Sequence, residues 1–199
     1  MHIYNGGARE GRIVDSNFFS NEEHALNIMK GIRGLKLKLV IEVLPLSVTR
    51  ELLDVCERYI EYGGQILFTV GVQSVNNDTL RAVNRSRIIA YELRAIHDLA
   101  SIGATVRVDT ILGLPLETRE SYMKGLLYVC NLAKEFSNVR LGLNQLYMIP
   151  NTPIVNDIEK YGLIIKKGIV VGTSTMSIWD IDCCKAAMEL ALDLYGVKT

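Results

Sequence analysis

The sequence predicts an α/β fold, a partial (β/α) barrel of parallel strands with helices outside it and a closing carboxy-terminal helix. Three observations carry this. Apolar strand-like runs alternate with amphipathic helical stretches and leave little spare loop. Nearly every such run ends on polar residues: Asp15 and Asn17, Glu42, Gln73 and Ser74, Asp109, and Asn144 or Gln145. In a barrel all strand ends converge on one site, whereas an open doubly wound sheet uses only its switch point. Finally, the chain holds neither a GxGxxG fingerprint nor a phosphate loop, which weakens the doubly wound alternative.

The elements follow in order. "RIVDSNFF" reads as a strand leaving toward a loop. "SNEEHALNIMKGIRG" reads as a helix with Ser20 and Glu23 as a capping box and Ala25, Met29 and Ile32 as its apolar stripe. "LKLVIEVLP" is a strand closed by Pro45. Ser47 to Tyr62 form a helix stopped by Gly63 and Gly64. "QILFTVGVQS" is a strand; Asn77 to Val83 and Ile89 to Ile102 are helical, the latter with Leu93, Ile96, His97 and Ala100 on one face. "ATVRVDTILGLP" is a strand, Thr118 to Phe136 a helix, and "VRLGLNQLYMIP" the last clear strand. Residues 151–175 read as irregular, and Trp179 precedes and anchors a closing helix. We divide the chain at 1–155, the barrel part, and 156–199, an extension.

Composition narrows the function. With 199 residues the chain supports one domain with a sizeable core. Its 22 basic and 22 acidic residues cancel, so no large field draws in nucleic acid or anionic lipid, and neither is an expected partner. No apolar run nears the ~18 residues of a membrane span, and the start lacks a signal peptide's apolar core; a cytoplasmic protein is expected. Of the four cysteines, Cys56 and Cys130 sit on apolar helix faces and read as core filler. Cys183 and Cys184 are adjacent and splay on a helix. His2 and His24 stand alone, so no metal site follows.

Strand periodicity sorts the side chains. Alternate residues point to opposite faces. Phe68, Val70, Val72, Val106 and Val108 form the uniformly apolar face that helices cover. Thr69, Gly71, Gln73, Arg107 and Asp109 then face the lumen, with Glu42 beside Val40 under the same rule. Buried polar groups need partners. Either Arg107 bridges Glu42 and Asp109 in an internal network, or a polar small molecule lies across the strand tips. Gly71 and Gly113 favour the ligand, since a strand-end glycine lets backbone approach something flat. Ser74 has no histidine and acid matched to it for a hydrolase triad, and the strands carry no lumen lysine for Schiff-base chemistry.

"IEVLP", "FTVGVQSVNNDTLRAVNR" and "VRVDTILGLPLETRESY", with "VDSNFF" before them and "MIPNTPI" after, resemble the ordered motifs of the radical SAM superfamily across residues 12–155. The tail "VVGTSTMSIWDI" is most similar to the branch whose members often carry a cobalamin-binding domain upstream. The resemblance implies a barrel of six strands holding S-adenosylmethionine over a [4Fe-4S] cluster, five of them present here. By position, Gln73 and Asp109 match residues that bond the ribose hydroxyls, Glu42 a polar residue on that side, and Arg85 the arginine that meets the methionine carboxylate. Ile111 and Gly113 match the segment packed against adenine. Asp15, Asn144 and Tyr147 are expected at the substrate rim.

This sequence departs from the family's pattern: the first family strand, its cysteine loop and the glycine-rich segment that binds the methionine amine are all absent. The three cysteines that ligate the cluster, spaced three and then two residues apart, are missing, and Met1 aligns within the first crossover helix. From this we expect a truncated form that by itself makes no adenosyl radical. We also expect an open edge at "RIVDS", suited to self-association or a partner chain.

Overall fold

The computed structural model describes residues 7–85 and 89–195; His2 and the helix expected across Met1 lie outside them. Strands β1 (Glu10–Arg12), β2 (Lys38–Val43), β3 (Gln65–Gln73), β4 (Thr105–Leu112) and β5 (Val139–Gln145) make one parallel sheet in the order β1-β2-β3-β4-β5. A short antiparallel hairpin, β6 (Ile164–Lys166) and β7 (Ile169–Gly172), stands apart from it. The helices are α1 (Glu22–Ile32), α2 (Arg50–Glu61), α3 (Asn77–Ala82), α4 (Ile89–Ser101), α5 (Arg119–Glu135) and α6 (Ile178–Tyr195).

The strand order decides between the two α/β alternatives. Sequential strands joined by right-handed crossovers all step the same way, so the connecting helices fall on one face. A doubly wound sheet would show a reversal, and this order shows none. The sheet is the singly wound kind from which barrels are made, and it does not close on itself among the described residues.

By packing, the described chain divides across its strands into two compact units. The first draws on residues 1–71, 89–108 and 136–140. In it β1 pairs with β2 from Glu10 opposite Lys38 to Arg12 opposite Val40. β2 pairs with β3 from Lys38 opposite Gln65 to Val43 opposite Val70. The alternation expected of the strands is present: Phe68 and Val70 on β3 and Val106 and Val108 on β4 are fully buried, while Thr69 and Arg107 are only partly so. The β2–β3 register puts Glu42 opposite Thr69, and hence on the polar face, where it is exposed.

Local sequence explains several boundaries that differ from expectation. β1 ends at Arg12, although the Ile13 N–H still donates to the Val40 carbonyl at 3.0 Å. Asn17 pulls the chain out of the ladder beyond it: its Nδ2 donates to Ser47 Oγ at 2.8 Å and its Oδ1 accepts the Leu44 N–H at 3.1 Å. The cap of α1 is Asn21, whose Oδ1 accepts the His24 N–H at 3.1 Å, and not Ser20. Ser20 closes a 3-10 turn that buries Phe18 and Phe19, and so has no freedom to cap. α2 begins at Arg50 behind Thr49, because Pro45 to Ser47 form a 3-10 turn first. On α4 the buried residues are Ala95, Ile96, Leu99 and Ala100. His97 is exposed, with its ring edge-on to Phe136 at 5.2 Å.

The second unit draws on residues 72–88, 109–135 and 141–199. The segment after β5 runs beside the hairpin: the Val170 N–H donates to the Leu146 carbonyl at 2.9 Å and the Met148 N–H to the Gly168 carbonyl at 2.7 Å. The stretch expected to be irregular therefore holds a 3-10 turn, Pro153–Asp157, and a hairpin. Helix α6 packs on α5 through Ile181, Cys184, Met188 and Ala191. Trp179 lies inside the first turn of α6, exposed, with the Arg119 guanidinium 5.2 Å from its ring centroid. No helix among the described residues is long and apolar enough to cross a membrane.

Two predictions follow from the first unit's packing. A Cβ on Gly64 would lie 2.2 Å from the ring of buried Tyr59. That ring cannot yield freely, because its hydroxyl donates to the Leu37 carbonyl at 2.9 Å and accepts the Leu37 N–H at 3.2 Å. Gly64→Ala should cost about 1–3 kcal/mol of stability in urea unfolding; an unchanged midpoint would show that the ring moves without penalty. Burial also pushes the Cys56 thiol up to about 12. The folded state thus holds that proton to higher pH than an unfolded thiol near ~8.5. The stability it lends is whole below that value and drains as pH rises toward 12. Iodoacetamide at pH ~8 should spare Cys56 in folded protein and label it once unfolded, since only the thiolate reacts; equal labelling in both states would refute the assignment.

Candidate functional site

The strand end "VGVQS" does something strands rarely do. Gln73, the last residue of β3, has φ of 65°, a left-handed conformation that a non-glycine residue occupies at a cost of about 1–3 kcal/mol. The Ser74 N–H donates back to the Val72 carbonyl at 2.8 Å. This three-residue γ-turn around a residue of positive φ is the rare, strained form. It turns the chain sharply and leaves the Gln73 side chain in a cleft of about 440 Å³.

Helix α3 carries the chain from Gln73 to Arg85. Asn76 caps it, accepting the Asp78 N–H at 2.9 Å. Its far end is a Schellman motif: the Arg85 N–H donates to the Leu80 carbonyl at 2.9 Å and the Asn84 N–H to the Arg81 carbonyl at 3.1 Å. Asn84 has φ of 53°, a conformation that asparagine tolerates better than most residues. A one-and-a-half-turn helix thus ends sharply and delivers Arg85 to the cleft that Gln73 lines.

The remaining walls come from β4 and the segment after β5. Ile111 and Leu114 form one side; Leu146, Tyr147, Ile149 and the turn at Pro153 and Ile154 form the other. Every lining residue belongs to the second unit. Tyr147 is set by Gly168, where a Cβ would come within 2.6 Å of the tyrosine ring and φ is 80°. The cleft is mostly apolar with a few polar groups at its rim, the usual make-up of a small-molecule site. Among the described residues Gln73 Oε1 is buried without a hydrogen-bond partner, as are Thr110 Oγ1 and the Tyr122 hydroxyl, with which Gln73 lines a second, small pocket. A buried acceptor without a donor costs free energy.

Of the residues singled out from the sequence, Gln73, Arg85, Ile111 and Tyr147 meet in this cleft. Asp109 is half-buried and shares a β4 face with Ile111 by period two. Asn144 is exposed, its Nδ2 3.5 Å from the Thr110 carbonyl. Gly113, with φ of 88°, packs against β7, where an added Cβ would meet the Val170 carbonyl at 3.4 Å. It does not line the cleft. In the first unit, Asp15 is exposed and caps the Asn17 N–H at 2.9 Å, and Glu42 is exposed on β2.

The sequence reading missed Glu117. It is wholly buried in the second unit, and its carboxylate accepts the hydroxyls of Ser74 and Ser121. Ser74 is buried with it, beside Thr110 and Tyr122, whose phenol burial pushes above its ordinary range. The available signal was slight. "LETRES" shows an acid just ahead of the helix start at Thr118 and Ser121, where an exposed side chain is the common outcome.

Among the described residues none of the four cysteines belongs to a metal-binding group. Cys56 and Cys184 are buried, Cys130 and Cys183 half-buried, and all four lie on helices α2, α5 and α6. Among the described residues no three His, Cys, Asp or Glu side chains gather where a metal ion would fit.

Comparison with known proteins agrees with the strand order. Residues 12–126, more than half of the chain, match the Radical SAM superfamily. An uncharacterized protein of Methanocaldococcus jannaschii is 35% identical over 86 residues, which is 43% of this chain and 27% of that protein. Coproporphyrinogen III oxidase (HemN) from Escherichia coli, a radical SAM enzyme, superposes with a TM-score of 0.58 at 25% identity over 85% of this chain and 37% of its own. The radical S-adenosylmethionine methyltransferase TsrM from Kitasatospora setae, whose structure holds cobalamin and a [4Fe-4S] cluster, superposes with a TM-score of 0.66 at 18% identity over 80% of this chain and 32% of its own. The chain therefore spans about a quarter to two fifths of the length of these relatives. The chain belongs to the radical SAM superfamily.

Proposed function

We propose that this chain is the S-adenosylmethionine-binding part of a radical SAM enzyme, with the nucleoside seated in the cleft at the ends of β3 and β4. The observation that carries the reading is the Gln73 amide. It is held on a strained turn with its oxygen buried and unpartnered, in a cleft that also receives Arg85. The ligand's ribose hydroxyls and adenine amine are donors, and the amide oxygen would accept one of them once turned into the cleft. Its carboxylate suits the guanidinium fork of Arg85, and its adenine ring suits the apolar wall of Ile111 and Leu114. Asp109, on the strand face of Ile111, would take a ribose hydroxyl.

The iron–sulfur cluster does not fit this chain's own residues. In the family, thiolates hold the irons of that cluster, which would supply electron-transfer chemistry. The four cysteines here are dispersed over three helices, so in our reading ligands from elsewhere complete the enzyme and this chain supplies cofactor grip. The cobalamin held by TsrM and the tail "VVGTSTMSIWDI" favour a cobalamin-associated branch.

Titration calorimetry tests the binding. S-adenosylmethionine should give heat with the wild-type chain. Arg85→Ala should weaken binding by about tenfold to a hundredfold, as expected for a lost charge-assisted bond, and Gln73→Ala and Asp109→Ala by about tenfold. No heat with wild type, or wild-type affinity in all three variants, would refute the site.

A second reading rests on a different observation. Among the described residues β1 is the terminal strand in the sheet order, so its outer edge offers backbone groups to another strand. Arg9 and Ile13 turn their backbone groups toward β2, so by alternation the Arg12 N–H faces the outer edge, and pairing with a second copy or a partner chain should be sensitive to Arg12→Pro, which removes it. Sedimentation equilibrium of the wild-type and Arg12→Pro chains should show association only for wild type; a monomer in both cases would dismiss self-pairing.

A further inference from the structure

We propose that Glu117 is a positioning residue for the cofactor cleft, acting through Ser74 to hold Gln73 in its strained turn. This rests on the reading that the cleft takes S-adenosylmethionine.

Glu117 has no exposed surface, and among the described residues no cation pairs with it. A buried carboxylate with only neutral partners is an expensive way to stabilise a fold. What it does here is gather two hydroxyls: Ser74 Oγ donates to one carboxylate oxygen and Ser121 Oγ to the other. Both are hydrogen bonds to a group able to carry charge, the strong kind. Ser121 sits in the first turn of α5, where its N–H is capped by Thr118 Oγ1 at 3.1 Å. The Glu117 carbonyl accepts the Thr175 hydroxyl. The carboxylate is therefore fixed from both ends.

Ser74 is the residue whose N–H closes the γ-turn. Its hydroxyl, besides donating to Glu117, accepts the Asn76 N–H at 2.9 Å. Asn76 in turn sends its Nδ2 to the Leu116 carbonyl at 3.2 Å, one residue before Glu117. The loop after β3 and the loop after β4 are thus buckled together at Ser74 and Glu117. A residue held at positive φ persists only where its surroundings over-determine it, and Gln73 is the residue immediately before this buckle. Without the buckle, Gln73 relaxes to ordinary extended backbone and its amide swings out of the cleft.

A mutant cycle separates positioning from mere packing. Ser74→Ala and Glu117→Gln should each weaken S-adenosylmethionine binding about tenfold, as Gln73→Ala does, while Ser74→Thr, which keeps the hydroxyl, retains wild-type affinity. In a Gln73→Ala background, Ser74→Ala and Glu117→Gln should add nothing, because the group they position is already gone. Losses that add in full, or wild-type affinity in both single variants, would overturn the proposal. Hydrogen exchange at the Ser74 amide needs no cofactor. Exchange should quicken at least tenfold in Glu117→Gln while the β2 and β3 amides stay protected. Unchanged exchange would overturn the proposal. If the wild-type chain fails to bind S-adenosylmethionine yet Ser74 loses protection as expected, the turn-holding role stands and the cofactor reading falls.

Discussion

One face of a strand can be sealed by helices only if every second side chain is apolar, and that constraint organises this chain. Phe68, Val70 and Val72 on β3 and Val106 and Val108 on β4 are nearly or wholly removed from water. With the strands committed in this way, the intervening residues have no choice of direction. Thr69, Gly71 and Gln73, and likewise Arg107, Asp109 and Ile111, must present themselves on the other face. A one-residue slip would put Gln73 and Asp109 against helices and valines toward the cleft. The polar face therefore derives its precision from the apolar one, and the burial of five valine and phenylalanine side chains is what fixes the direction of Gln73, Asp109 and Ile111.

Periodicity is also why much of the fold was readable from the sequence. Alternating side chains in "LFTVGVQS" and "VRVDTILG" give both the strands and their faces without reference to anything distant. The five-strand order followed from alternation with helices and the rule of right-handed crossovers. In the cleft, Gln73, Arg85, Ile111 and Tyr147 were legible because they sit at element ends, where a resemblance in motif order can be laid residue by residue onto this chain.

What was not legible depended on contacts made across the chain. Ser20 and Asn21 are both good caps, and only the burial of Phe18 and Phe19 in the preceding turn gives the role to Asn21. His97 shares a helical face with Ile96 and Ala100 on a wheel, yet Ala95 and Leu99 take the buried stripe and leave it outside. The hairpin of β6 and β7 has short strands with a bulge, too brief for a period to show. Gly113 was read as an approach to a ligand, and the backbone it admits is that of β7. Glu117 is the largest omission, because nothing local announces that an acid beside a helix cap will be buried against a hydroxyl from a loop forty-three residues away in sequence.

Two residues of positive φ bracket the helix that links the cleft's polar groups, and their placement explains why the stretch from Gly71 to Arg85 looks as it does. Gln73 precedes α3 and Asn84 follows it. Each forces a sharp change of direction at the point where a straight continuation would carry the next side chain away from the cleft. Asn84 does so cheaply, since its short polar side chain accepts the left-handed region and the Schellman bonds close around it. Gln73 does so at a penalty, because its side chain is also the one that must point inward. A glycine there would relieve the strain and remove the amide. Keeping glutamine requires that the strain be absorbed elsewhere, and Ser74 bonded to Glu117, beside Thr110, Ser121 and Tyr122, is the polar structure packed behind the turn. The buried carboxylate, the unfavourable backbone angle and the unpartnered amide oxygen are three costs at neighbouring positions, and each becomes intelligible once the other two are taken as its reason.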